Sequence, residues 1–128
     1  MTDSKTLTHI GDVRTVAIPV ADQERALAFY VQQLGFEKRM DAEFGGGQRW
    51  IEVAPPGAST SIALARQEGS GTDTGIRLTS SDVAGDHTHL RDLGVDVDAE
   101  IIPFPVPMFS FRDADGNRLV IVGDGGQR

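Results

Sequence analysis

The side chains that could bind a metal ion or move a proton are three histidines and the carboxylates, because the 128-residue chain contains no cysteine. The absence of cysteine excludes disulfides, thiolate metal sites, iron–sulfur clusters and cysteine nucleophiles. His87 and His89 lie two residues apart in a segment with helical spacing, so their side chains point about 200° apart. They cannot bind one metal ion together, and we expect His87 to pack beside Val83 and Leu90.

A second candidate is the acidic stretch 113–117, in which the spacing of oxygen-bearing side chains resembles the start of a calcium-binding EF-hand loop. An EF-hand needs glycine at the sixth position of the loop, where this chain has Arg118. Aspartate, glycine and asparagine also favour tight turns. We therefore interpret 113–117 as a hairpin turn between two strands.

The third candidate is Glu52, which shares one face of a predicted strand with Trp50. We expect that face to line a cavity, and the opposite face, with Arg49 and Ile51, is the alternative. In a cavity, Glu52 could pair with a ligand amine, lie under the Trp50 ring or act as a general base. It could equally form a structural ion pair, for which the candidate partners are Arg77 and Arg118.

These side chains belong to a pattern of elements that occurs twice. Strand, helix and three further strands are predicted first at 13–20, 22–34, 36–44, 48–54 and 60–65, and again at 74–79, 82–93, 95–97, 108–111 and 118–122. The predicted helix caps, Asp22 and Asp82, are sixty residues apart, and one βαβββ unit of this length cannot bury its sheet alone. We therefore expect a single domain over residues 1–128, made of a first module at about 13–66, a linker at 67–73 and a second module at about 74–123.

Composition and charge narrow the choice of partners. A mass of 13.7 kDa allows one core, and no apolar run approaches the roughly eighteen residues of a membrane helix. Twelve Lys and Arg against nineteen Asp and Glu give a formal charge of −7, which repels nucleic acid and favours cationic partners. The first residues carry no apolar signal segment, so we expect a cytosolic protein that binds neither nucleic acid nor a membrane.

Four stretches of the chain carry a family resemblance. They are the strand end at 18–22, the helix at 25–30 with its Leu-Gly-Phe end at 34–36, the strand and turn at 49–57, and the turn region at 111–118. In this order they resemble the glyoxalase/bleomycin resistance/dioxygenase group, also called the vicinal oxygen chelate superfamily, over residues 13–123. The resemblance implies an α+β fold of two βαβββ modules whose curled mixed sheets surround a cavity, with the helices outside. It also implies a homodimer, and in some members each pocket is shared between subunits.

The resemblance also indicates where a metal would bind. In metal-dependent members, His, Gln or Glu ligands stand on the first and last strands of each module, and the matching positions here are Thr15, Ala63, Gly75 and Val120. Threonine is a poor ligand for a catalytic divalent metal, and the other three side chains have no donor atom. We therefore expect no metal and no other cofactor.

Strand alternation predicts which residues line the cavity. If Ile18 and Leu119 pack beneath the helices, then their neighbours face the cavity, and we place Met108 with Phe109 at its rim. The predicted ligand-binding residues are Thr15, Ala17, Trp50, Glu52, Ala63, Gly75, Arg77, Met108, Phe109, Arg118 and Val120.

Two functions fit this pattern. The first is a metal-independent small-molecule-binding protein of the glyoxalase/bleomycin-resistance type, which holds an organic ligand such as an antibiotic in the cavity between the modules. The alternative is an enzyme of the same superfamily, a lyase, isomerase or dioxygenase. It would work without metal through Glu52, or with metal if the four ligand positions are misaligned. The fold hosts both classes, so the site has to decide between them.

Overall fold

The computed structural model describes residues 8–125, which form two successive βαβββ modules. The first module consists of β1 (Thr15–Val20), α1 (Gln23–Ala28) with a π-helical continuation (Phe29–Gln33), β2 (Glu37–Glu43), β3 (Arg49–Ala54) and β4 (Ser61–Arg66). The second consists of β5 (Asp73–Ser80), α2 (Val83–Asp92), β6 (Asp96–Val97), β7 (Met108–Arg112) and β8 (Arg118–Gly123). In the part of the chain that is described, no helix is long and apolar enough to cross a membrane.

Each module forms one mixed four-stranded sheet, with strand orders β1-β4-β3-β2 and β5-β8-β7-β6. The first and last strands of a module pair in parallel, and the remaining pairs are antiparallel. A parallel pair needs a long crossover, which the helix and the two middle strands supply. The predicted α+β fold of duplicated modules is therefore confirmed.

The helices begin where the sequence predicts them. The Asp22 carboxylate accepts the amide of Arg25, and the Asp82 carboxylate accepts the amide of Gly85, each at the first turn of its helix. The segments end at Gly35 and Gly94, whose φ angles of 79° and 87° are conformations that glycine adopts without strain. Local capping chemistry thus determines both helix positions.

The two sides of each sheet carry different residues. On the helix side of the first sheet the side chains are large and buried, as at Ile18, Ile51 and Leu64. On the other side, which we call the open face, small residues dominate. The open face of the first sheet consists of Thr15, Ala17, Met40, Ala42, Trp50, Glu52, Ala54, Ser61, Ala63 and Ala65. The open face of the second sheet consists of Gly75, Arg77, Thr79, Met108, Ser110, Arg112, Arg118, Val120 and Val122.

One apolar core contains helix-side residues from both sheets. Across the module boundary, the Phe29 ring stacks on Phe111 with ring centroids 6.3 Å apart. His87 is buried, and its Nε2 lies 2.7 Å from the Asp98 carbonyl oxygen. The expectation that His87 packs against the core is confirmed.

The turn at 113–117, which we call the junction turn, joins the modules through Asn117. This side chain is fully buried, and its Nδ2 donates to the carbonyl of Pro19 at 2.8 Å. Its Oδ1 accepts the amides of Gly71 and Thr72 at 2.8 and 3.1 Å. One amide group therefore binds β1, the linker and the second module. The hairpin interpretation is also confirmed, because the backbone closes between Asp113 and Asn117 at 2.9 Å.

The two aspartates of the junction turn hold the first helix. Asp113 Oδ1 accepts backbone amides within the turn, and its Oδ2 accepts the Tyr30 hydroxyl at 2.7 Å. Asp115 Oδ1 accepts the amide of Ala21 and the Arg25 guanidinium at 3.0 and 3.1 Å. Burial raises the pKa of Tyr30, and the adjacent Asp113 charge raises it further, so the hydroxyl stays protonated and remains a donor.

Replacing Tyr30 by Phe should lower the free energy of unfolding by roughly 1–3 kcal/mol, because the Asp113 oxygen loses a buried donor. Chemical denaturation measures this loss. The control is Thr60→Val, which removes a more exposed hydroxyl donated to the Val13 carbonyl and should change stability much less. Equal effects of the two substitutions would contradict the assigned role of the junction turn.

Candidate functional site

Glu52 lies at the centre of the open face of the first sheet and is only 3% exposed. Its Oε1 accepts the Ser61 hydroxyl at 2.7 Å. Its Oε2 accepts the Trp50 indole N–H at 2.7 Å and the Arg14 guanidinium at 3.1 Å. Both carboxylate oxygens are therefore occupied, and the Trp50 ring is tied to the carboxylate through its nitrogen.

The surroundings of Glu52 stabilise its charged form. Burial by itself raises the pKa of this carboxyl, but the hydrogen bonds from Trp50, Ser61 and Arg14 outweigh it, so the net pKa is lowered. A general base needs a pKa near the working pH and a free oxygen to receive the proton. Glu52 has neither property, and its geometry suits a fixed negative charge.

The first open face carries small side chains around Glu52. Across the strands, Ala17 lies opposite Ala63, and Ala63 lies opposite Glu52. Beside this row, the Thr15 and Ser61 hydroxyls are 3.2 Å apart, and the Arg14 guanidinium donates to Thr15 at 3.1 Å. The result is a shallow floor of methyl and hydroxyl groups around one carboxylate, with the indole of Trp50 at its side.

The four positions that match metal ligands in the family carry no suitable donor set. Thr15 is engaged with Ser61 and Arg14, Ala63 is fully buried, and Val120 is 7% exposed. Gly75 has a φ of 73° at an irregularity in the β5–β8 pairing, a conformation that explains why glycine stands there. Within residues 8–125, no group of three or more His, Asp or Glu side chains is placed to hold a metal ion.

The open face of the second sheet is basic, and most of its charge is neutralised locally. Arg118 pairs with Asp73 at 3.0 Å, and Arg112 pairs with Asp98 at 3.0 Å. The Arg77 side chain is exposed and has no hydrogen-bond or ion-pair partner among the described residues. The structural ion pair considered between Glu52 and Arg77 or Arg118 is wrong, because Arg14 is the partner of Glu52.

The structure divides the predicted ligand-binding residues into two groups. Thr15, Ala17, Trp50, Glu52 and Ala63 share the first open face, whereas Gly75, Arg77, Met108, Arg118 and Val120 share the second. In the described part of one chain, no side-chain hydrogen bond or ion pair joins the two groups. Each open face lies on the far side of its sheet from the common core.

Phe109 belongs to neither group, so its predicted place at the cavity rim is wrong. The side chain is 1% exposed and meets the His87 ring edge-on at 4.8 Å, beneath α2. Adjacent residues of a strand point to opposite sides, so Met108 and Phe109 cannot both face the cavity.

Arg14 was missed by the sequence analysis. It precedes β1 and has the alternation phase of the helix side, so periodicity gives no reason to place it beside Glu52. Only the length of the arginine side chain brings its guanidinium across to the carboxylate.

A cavity of about 630 Å³ lies at one end of the first sheet, beside the open face. The end of β1, the hairpin before β3, the end of β4 and the linker surround it. Of the predicted ligand-binding residues, only Trp50 lines it. This cavity belongs to the first module and the linker, and differs in that respect from the predicted inter-module cavity.

A family model and a bacterial protein each match most of this chain. The family model "Glyoxalase/Bleomycin resistance protein/Dioxygenase superfamily" matches residues 7–121. The uncharacterised protein YetH of Bacillus subtilis (strain 168) is 32% identical over 117 residues, covering 88% of this chain and 98% of YetH.

Two solved structures are also similar. A member of the same superfamily from Sphaerobacter thermophilus DSM 20745 has 35% identity and a TM-score of 0.83, covering 91% of this chain and 100% of that one. TnmS3, an antibiotic binding protein from Streptomyces sp. CB03234, has 35% identity and a TM-score of 0.78, covering 91% and 98%. The chain therefore belongs to the glyoxalase/bleomycin resistance protein/dioxygenase superfamily.

Proposed function

We propose that the protein is a cytosolic, metal-independent small-molecule-binding protein that holds a cationic aromatic ligand on the open face of the first sheet. The observation that carries the proposal is the buried Glu52 carboxylate, fixed by hydrogen bonds from Trp50 and Ser61 among small residues. Nucleic acid and membranes are not among the proposed partners. The similarity to TnmS3, described as antibiotic binding, supports an antibiotic-like ligand.

The shape of the face supports an aromatic ligand. Ala17 is exposed and Ala65 is half-buried, and their small side chains leave space for a flat molecule to approach this side of the sheet. Trp50 is half-buried and its nitrogen is held by Glu52, so its ring is oriented before a ligand arrives. A preset aromatic wall lowers the entropy lost on binding.

The charge of the face supports a cation. Arg14 neutralises Glu52, but its side chain is 70% exposed, so the guanidinium can move into water while the Glu52 carboxylate keeps its hydrogen bonds from Trp50 and Ser61. A ligand ammonium group can therefore take the place of the Arg14 guanidinium beside the carboxylate. The formal charge of −7 favours the approach of a cation.

Binding is favoured over catalysis by the state of Glu52. A carboxylate with a lowered pKa and two occupied oxygens is a weak proton acceptor. The donor-free side chains at three of the four family ligand positions support metal independence. No observation favours the enzyme alternative. It would be established if the protein converted a bound ligand to product and the substitution Glu52→Gln abolished that turnover.

A panel of cationic aromatic antibiotics should contain a ligand that quenches the fluorescence of Trp50, the single tryptophan of the chain. Glu52→Gln should weaken that ligand at least about tenfold, or about 1.4 kcal/mol, because a neutral amide no longer attracts the cation. The control is Glu43→Gln, an exposed β2 position, which should leave the affinity unchanged. No binding tighter than about 1 mM, or equal affinity for both variants, would contradict the proposal.

The stabilisation that Glu52 gives to the folded protein should be lost in acid. Its folded-state pKa lies below the ordinary value of 4.5, so its stabilisation is present above that value and is lost as pH falls through the folded pKa. Near neutral pH, Glu52→Gln should lower the free energy of unfolding by roughly 1–3 kcal/mol. Denaturation from pH 7 to pH 3 should show the difference between the two proteins shrinking in acid, and a growing difference would contradict a charged, hydrogen-bonded Glu52.

We also propose a homodimer, because both open faces carry exposed residues, such as Ala17 and Met40 on the first and Arg77 on the second, and each chain keeps its two groups of predicted ligand-binding residues apart. A second copy that places its second open face over the first would add Arg77 and Val120 to the Trp50 side. Light scattering should then give a mass of twice 13.7 kDa. A monomer mass at micromolar concentration would contradict the dimer and leave the first open face as the binding surface.

A further inference from the structure

The cavity at the end of the first sheet contains a polar group whose orientation is fixed. Gln23, at the first turn of α1, is 8% exposed and lines the cavity. Its Nε2 donates to the carbonyl oxygens of Arg49 and Leu64, at 2.9 and 2.8 Å. Both partners are backbone acceptors, so the nitrogen must face them, and the amide cannot flip.

The other end of the same amide is an unused acceptor. No described residue donates to Gln23 Oε1, and the only fully enclosed, unpartnered side-chain N or O atom in 8–125 is Asp115 Oδ2. The Gln23 oxygen is therefore reached by solvent, and the cavity is the space that this side chain borders. A ligand N–H or O–H would meet an acceptor whose direction is already set.

The cavity also offers donors and aromatic surface. The Arg66 side chain lines it and has no hydrogen-bond or ion-pair partner among the residues described, so its guanidinium is available to a ligand oxygen. Trp50 and Phe44 supply ring surface, and Phe44 is 59% exposed despite its size.

The balance of charge favours a neutral ligand group. Arg49 is neutralised by Asp41, at 2.7 Å, and by Glu24. The remaining charges of the lining, Arg66 and Glu68, are opposite in sign. A neutral group with both a donor and an acceptor therefore fits better than an ion.

We propose that this cavity binds a primary carboxamide or lactam carried by a planar aromatic molecule. The amide N–H donates to Gln23 Oε1, the amide oxygen accepts from Arg66, and the ring lies against Trp50 and Phe44. The inference rests on the proposed function, because the carboxamide is one end of a ligand whose ring system extends over Trp50 toward the first open face.

The test compares 2-naphthamide with methyl 2-naphthoate, which keep the ring and the carbonyl but differ in the N–H donor. Binding is measured by calorimetry, and the indole N–H resonance of Trp50 in nuclear magnetic resonance spectra locates it. We expect the wild-type protein to bind the amide at least about tenfold more tightly than the ester. Equal affinities, or no binding of either probe, would overturn the inference.

Three variants test whether Gln23 and Arg66 bind the amide group of the probe. The amide preference is the ratio of the affinity for 2-naphthamide to the affinity for methyl 2-naphthoate. In Gln23→Met this ratio should fall to about one. In Gln48→Met, a control on the same cavity wall, it should stay at the wild-type value. Gln23→Met also removes two buried donors, so a thermal melt must first show that it folds. Arg66→Leu changes an exposed side chain and should weaken both probes by a similar factor, which keeps the test valid if Gln23→Met is unfolded. A full amide preference in folded Gln23→Met, or no effect of Arg66→Leu on either probe, would overturn the inference.

The outcomes separate this inference from the proposed function. If the cationic panel binds through Glu52 but the amide has no advantage, the carboxamide site fails and the proposed function stands. If the panel does not bind but the amide preference is present and depends on Gln23, the proposed function fails and the cavity site stands.

Discussion

The arrangement of the molecule depends on one buried amide. Asn117 binds the Pro19 carbonyl of β1 and two linker amides, while it is itself part of the β7–β8 turn. The N–H donors and the oxygen acceptor of this side chain are all used inside the protein. Removing the side chain would therefore leave several buried polar groups unpaired. This constraint, with the hydrogen bond from Tyr30 to Asp113, keeps the helix sides of both sheets on one core and leaves the open faces outside it.

The two open faces differ because their residues differ in size and charge. The first combines small side chains with a single buried carboxylate, whose hydrogen bonds from Trp50 and Ser61 keep it charged. The second carries arginines that mostly pair with aspartates on the same module. A cationic aromatic ligand is therefore better suited to the first face. The cavity next to it, with the fixed Gln23 amide, extends the same binding region toward neutral polar groups.

The features that could be predicted from the sequence are those set by local chemistry. The caps at Asp22 and Asp82, the turn at 113–117 and the pairing of Trp50 with Glu52 on one face all follow from residue type and spacing within a few positions. The roles of Arg14 and Gln23 could not be predicted from the sequence, because they depend on contacts with residues far along the chain. Phe109 was misplaced because it was grouped with Met108 at the cavity rim, whereas adjacent residues of β7 point to opposite sides and its ring lies beneath α2.

The central claim is that Glu52 and Trp50 form the floor and wall of a metal-free ligand site. A crystal structure of the protein with a cationic aromatic ligand that quenches Trp50 tests it most directly. The account predicts the ring against Trp50, the cationic group within about 4 Å of the Glu52 carboxylate, and the Arg14 guanidinium moved away from it. Ligand density on another surface, or a metal ion bound between the ligand and the open face, would contradict the account.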